Sequence, residues 1–284
     1  MAYTSFADLL VAAAEHGSLA AAAVHFESLE TGRSEESLRG RMRETLDVMR
    51  SAVANGRSGP NRSRSGLTGG AAARLAAADP SPVGPVFSHA LASALAVAEV
   101  NAAMGRIVAA PTAGASGVLP GVLLTLADST GAGEEALVDA LFTAAAVGGV
   151  IAARASLSGA AGGCQAEIGS AAAMAAASGV EMLGGSPAAS GHGASLALQG
   201  LLGLVCDPVG GLVEVPCVVR NATGTAVALA GIEMALAGLE FPIPFDEVVD
   251  AMGSVGRSLP PSLRETAIGG LAATPTARNL KLED

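Results

Sequence analysis

Half of this 284-residue chain is apolar, yet aromatic residues make up only 2% of it and tryptophan is absent. A core on those terms rests on Ala, Leu, Val and Gly, whose short side chains fill space only when backbones come close. Helices meet that demand well, because a face of small residues lets two helix axes approach and still pack at interior density. The length suffices for one large domain with a sizeable core and no staple. The expectation is an all-α fold: a single compact domain of Ala/Gly-rich buried helices, with Gly/Pro-rich loops carrying the cysteines.

Charge narrows the function classes. The net charge is −10 and only 15% of residues are charged. Nucleic acid and anionic membrane surfaces need a basic footprint that this chain lacks. Residues 182–206 are uncharged, but they are rich in Gly, Ser and Ala and include Pro187 and His192. A spanning helix wants about 20 strongly apolar residues, so no membrane segment is expected. The start, Met1 to Asp8, lacks the basic residues of a secretory signal. Three cysteines are an odd number, which argues against a disulfide framework. These features read as a reduced, cytoplasmic, soluble protein. Lys281 is the single lysine. A pyridoxal-phosphate enzyme needs a buried lysine for its Schiff base, and a phosphate-binding P-loop needs one after a Gly-rich turn. Both classes are excluded.

Helical periodicity runs through most of the chain. Phe6, Leu9, Leu10 and Ala13 recur at helical spacing, and Ser34-Glu35-Glu36-Ser37 opens a second helix with Leu38, Met42, Leu46 and Met49 on one face. Residues 55–65 shift to Gly, Pro, Ser and Arg, and read as a loop holding the main basic cluster. Further helices are expected over 70–78, 85–104, 118–127, 133–154, 166–178, 187–204, 218–239, 245–255 and 261–271. The organisation predicted is a helical layer over 1–55 and a main helical domain over 56–284.

The chemistry concentrates at the cysteines. Cys164 follows Gly159-Ala160-Ala161-Gly162-Gly163, Cys206 precedes Asp207-Pro208, and Cys217 follows Pro216. All three fall at helix ends beside Gly or Pro. A free cysteine is commonly a small buried hydrophobe, and that reading stays open beside a ligand role. Three thiolates do not close a structural zinc site, which wants four ligands. They do suit a 4Fe–4S cluster with one iron left open to act as a Lewis acid.

Gly162-Gly163-Cys164-Gln165-Ala166-Glu167-Ile168-Gly169-Ser170 resembles the first cysteine signature of bacterial iron–sulfur L-serine dehydratases. The stretch from Gly203 through Cys206-Asp207-Pro208 to Val215-Pro216-Cys217 is similar to the segment carrying the other two, and Asn221-Ala222 follows as in that family. Gly105 to Gly117 and Glu265 to Thr276 match as well, so the resemblance spans about 65–276. It implies a lyase converting L-serine to pyruvate and ammonia on a 4Fe–4S cluster held by Cys164, Cys206 and Cys217, without pyridoxal phosphate. It also implies the alpha subunit of an oligomeric enzyme with a separate beta subunit, acting in amino-acid degradation and gluconeogenesis. An L-cysteine desulfidase-like iron–sulfur lyase and a non-catalytic helical scaffold are the alternatives. Single-chain relatives can place a C-terminal cysteine on the fourth iron, whereas the last residues here, Asn279 to Asp284, include none.

Substrate residues follow from local chemistry. The Gly-rich turn 111–117 precedes a helix whose N–H groups suit a carboxylate, with Thr112 and Ser116 as added hydroxyl donors. Ser65 to Gly70 is a second such turn. Glu167, one helical turn past Cys164, is a candidate base, and Asn221, one turn past Cys217, a candidate contact. Asp207 and Glu214 read as structural, and Arg220 as pairing a substrate carboxylate or a neighbouring Glu. His192, at a Gly-His-Gly break, is a weak base candidate; His16, His25 and His89 are weaker.

Overall fold

The computed structural model describes residues 3–78, 81–280 and 282; Lys281 lies outside them. Its elements are helices: α1 (Phe6–His16), α2 (Leu19–Thr31), α3 (Glu35–Ser58), α4 (Ala71–Ala76), α5 (Pro85–Ala102), α6 (Val118–Thr130), α7 (Glu134–Arg154), α8 (Gly159–Gly162), α9 (Ser170–Met182), α10 (Pro187–Gln199), α11 (Cys217–Leu236), α12 (Phe245–Ser258) and α13 (Pro275–Arg278). No strand forms among the described residues, and the fold is all-α as the composition requires.

The helices begin where capping chemistry says they should. Ser5, Ser18, Ser34 and Ser186 each accept a hydrogen bond from an N–H of the first turn. Gly17, Gly32 and Gly131 close α1, α2 and α6 in the left-handed conformation. At the centre lies α9, buried on every side from Ser170 to Val180 and packed against α6, α7, α10 and α11. Small residues make this possible: a Cβ on Gly231 of α11 would come 2.8 Å from the Gly193 carbonyl of α10. The N-terminal helices close one side, α2 against α7 and α3 against α5. Helix α7 is long and apolar enough to cross a membrane, but 67% of its most apolar window is buried inside the fold.

Three expectations needed correction. Helix α3 continues to Ser58, into the stretch read as a loop, because Gly56 seats against the Ala96 backbone of α5. Residues 187–204 stop being helical at Gln199. Residues 261–271 are not a helix. Two short turns, Pro261–Leu263 and Gly270–Ala273, flank a stretch in which Glu265 and Ala267 take positive φ. The backbone there serves a different partner. Cys206 N–H donates to Leu263 O at 2.9 Å and Glu265 N–H donates to Cys206 O at 2.7 Å, a single parallel bridge.

Candidate functional site

All three cysteines are buried, and they arrive from separate elements. Cys164 stands between α8 and a π-helical turn, Gln165–Gly169, that leads into α9. Gln165 fixes this corner: its own N–H donates to Leu204 O at 3.0 Å, and its side chain donates to Gly162 O and accepts from Gly203 N–H, both at 2.8 Å. Cys206 sits in the loop that the bridge to Arg264 holds. Cys217 opens α11. The two cis peptide bonds, Ala110–Pro111 and Val215–Pro216, both flank this region.

The thiols lie near enough to influence one another electrostatically. Burial pushes Cys164 up to about 11 and Cys217 up to about 12, and raises Cys206 as well; Cys164 makes it harder for both others to ionise, and Cys217 does the same to Cys206. Glu167 adds to all three effects. Its own carboxyl is raised, first by burial and also by Glu265, while the Thr112 hydroxyl works the other way. The donor set is rich in would-be anions. Among the described residues, no three His, Cys, Asp or Glu side chains come close enough to share a single metal ion.

Glycines keep the centre open. A Cβ on Gly159 would lie 2.6 Å from Glu167 Oε2 and 3.0 Å from Cys206 Sγ. A Cβ on Gly114 would lie 3.6 Å from Glu167 Oε1. The turn 111–117 therefore faces Glu167, but part of its backbone is already engaged. The N–H groups of Ala115 and Ser116 bond back to Thr112 and Ala113 carbonyls, and Gly117 N–H donates to Asn221 Oδ1 at 2.8 Å. Asn221 Nδ2 returns bonds to Gly114 O at 2.7 Å and Cys217 O at 3.0 Å. Asn221 thus ties the turn to the Cys217 helix rather than projecting freely. The Ser116 hydroxyl is buried without a hydrogen-bond partner, and the buried Thr112 hydroxyl has the Glu167 carboxyl as its polar neighbour.

The remaining candidates sort by place. Arg220 pairs with Asp207, not with a glutamate, at 2.8 Å. Glu214 accepts from Ser65 Oγ at 2.6 Å, which brings the 65–70 turn beside the cysteine loop. His192 accepts from Phe241 N–H at 3.2 Å and lines a cavity of about 510 Å³ with Phe6 and Phe245, none of them part of the cysteine site. His16 and His25 stack on each other; His89 lines a cavity of about 450 Å³ between α3, α5 and α6. The sequence reading missed Glu265 and Gly159. Positive φ at a non-glycine signals strain at such sites, but the sequence shows no φ.

Comparison with known proteins gives one consistent result. The family model described as "Serine dehydratase alpha chain" matches residues 14–272. The chain is 51% identical over 254 residues to the probable L-serine dehydratase alpha chain of Bacillus subtilis, covering 88% of this chain and 84% of that one. It is 43% identical to the L-serine dehydratase alpha chain of Peptoniphilus asaccharolyticus, covering 87% and 86%. An L-serine dehydratase of Streptomyces coelicolor is 37% identical over 93% of this chain but only 60% of its own length.

Proposed function

Because the chain belongs to the serine dehydratase alpha-chain family, we propose that it deaminates L-serine to pyruvate and ammonia, with Cys164, Cys206 and Cys217 holding a 4Fe–4S cluster. The observation that carries this is that three thiols from three elements are all buried, with Cys206 Sγ and the Glu167 carboxyl beside the space that a Cβ on Gly159 would invade. Buried thiols and a carboxyl that burial keeps from ionising would be relieved by a cationic occupant, and a cluster would take one thiolate per iron. Such a cluster, with one iron free of protein thiolate, supplies Lewis acidity toward the substrate's β-hydroxyl.

The chain's own residues supply the rest. The 111–117 turn, pinned by Asn221, offers the buried, unpartnered Ser116 hydroxyl, and the Thr112 hydroxyl beside Glu167, to a substrate carboxylate. Glu167 lies between that turn and Cys206, where a carboxylate can take the α-proton. Burial raises its proton affinity toward that role. Residues 56–284 form the catalytic part in this reading and 1–55 a helical layer. The term alpha chain in the relatives' names supports a separate beta subunit, and a cytoplasmic location in amino-acid degradation and gluconeogenesis follows from the proposed reaction.

The test is anaerobic purification with a visible spectrum and iron and sulfide analysis. A brown protein whose Cys206→Ser variant loses iron and serine turnover supports the proposal. A colourless protein without iron, or full iron in the variant, overturns it. Comparing L-serine with L-cysteine as substrates separates the dehydratase from a desulfidase.

A further inference from the structure

Cys217 opens α11, and Arg220 stands three residues on, over the same face of the helix. From there its guanidinium reaches back across the cysteine loop. Nη1 donates to Val205 O at 2.8 Å, and Nη2 meets Asp207 Oδ1 at 2.8 Å. Val205 and Asp207 are the two neighbours of Cys206, so one planar cation grips the chain on both sides of that cysteine. Asp207 is in turn held from the far side, accepting from Leu271 N–H at 2.6 Å. Its carboxylate packs where a Cβ on Gly270 would sit.

The pair is largely out of water, with side-chain exposures of 13% for Arg220 and 2% for Asp207. A buried ion pair is weak evidence for stability, because desolvation offsets most of its attraction. Arginine's planar guanidinium can donate through one nitrogen to Val205 O while another stays in ion-pair contact with Asp207, which fixes one geometry between them. We infer that Arg220, locked by Asp207, is a positioning residue that sets the spacing of Cys206 and Cys217 and holds a fixed positive charge against the cluster. This rests on the cluster reading above. A cation beside a cluster favours its reduced, more negative form and so raises its reduction potential.

Two variants separate position from charge, and a third guards against misfolding. Arg220→Met removes both functions. Arg220→Lys keeps the charge but cannot bridge Val205 O and Asp207 together. Asp207→Asn preserves shape while weakening the lock. Each full-length protein is reconstituted anaerobically with ferrous iron and sulfide, then measured for bound iron, EPR line shape of the reduced state, midpoint potential and circular dichroism. Arg220→Met should bind less iron, with an altered line shape and a more negative potential. Arg220→Lys should recover the potential in part but keep the altered line shape. Asp207→Asn should fold as the parent and show an intermediate change in line shape. If Arg220→Met and Asp207→Asn both fold and match the parent in iron, line shape and potential, the clamp is overturned while the cluster stands. If the parent itself takes up neither iron nor sulfide, the cluster reading fails and the clamp falls with it.

Discussion

Asn221 shows how much one buried side chain can organise. It is 1% exposed and satisfies one N–H and two carbonyls from the 111–117 turn and from Cys217. Asn221→Ala takes from Gly117 N–H and Gly114 O the side-chain partner that Asn221 gives them, which costs about 2 kcal/mol, and it frees the turn from α11. The expected outcome is a lower urea midpoint together with a fall in kcat/KM for L-serine; unchanged kinetics would separate the turn from catalysis. Glu181, at the far end of α9, carries a second prediction. Burial raises its carboxyl, while Thr143 and the N–H groups of Leu19 and Ala20 oppose the shift, and Asp139 adds to it. A raised folded-state value means that the folded chain keeps the proton where the unfolded chain has lost it. That contribution is full below the ordinary value of 4.5 and declines as pH rises through the raised one. Glu181→Gln removes the slope. Parent stability relative to the variant should therefore fall as pH rises above 4.5 in urea titrations; a constant difference would refute it.

At the scale of elements, periodicity and caps carried most of the helices, because an apolar face and a Ser before it are local signals. What was not legible depends on neighbours distant in sequence. Residues 261–271 space their Leu residues like a helix, yet their backbone bonds are spent on Cys206. Glu265 reaches the site only through that bridge, and the choice of Asp207 over a nearby Glu by Arg220 follows from how the cysteine loop turns. The cysteines themselves stood out, since three Gly- or Pro-flanked thiols are visible in the chain before it folds. Residues 55–58 carry loop-like composition but remain helical because α5 packs on them. That packing is testable at Gly56, where a Cβ would collide with the Ala96 carbonyl and backbone. No flexible side chain can yield there, so Gly56→Ala must push α3 off α5. The expected loss is about 1–3 kcal/mol, read as a lower Tm. An unchanged Tm would show that the two helices slide apart freely.

For the whole molecule, the composition sets a choice between two ways of activating a serine. One is an aldehyde cofactor on a lysine; the other is a metal centre on thiolates. No lysine lies among the described residues and the chain holds only Lys281, so no lysine from the described core can form a Schiff base. Its three thiols are all buried. The two routes differ in what destroys them. Hydroxylamine captures an aldehyde and leaves thiolate ligands alone. Oxygen attacks a cluster at the iron that lacks a protein thiolate, which the substrate path must leave accessible. Losing that iron removes the assistance to hydroxide departure, and hydroxide is a poor leaving group without it. The anaerobically purified protein, with a partner subunit if turnover requires one, should therefore lose serine deamination in air and regain it with ferrous iron and thiol under nitrogen. Hydroxylamine under nitrogen should leave its rate unchanged. Two inactivation curves decide the matter: survival for hours in air with loss to hydroxylamine would exclude the thiolate-held centre and require an aldehyde cofactor anchored on Lys281.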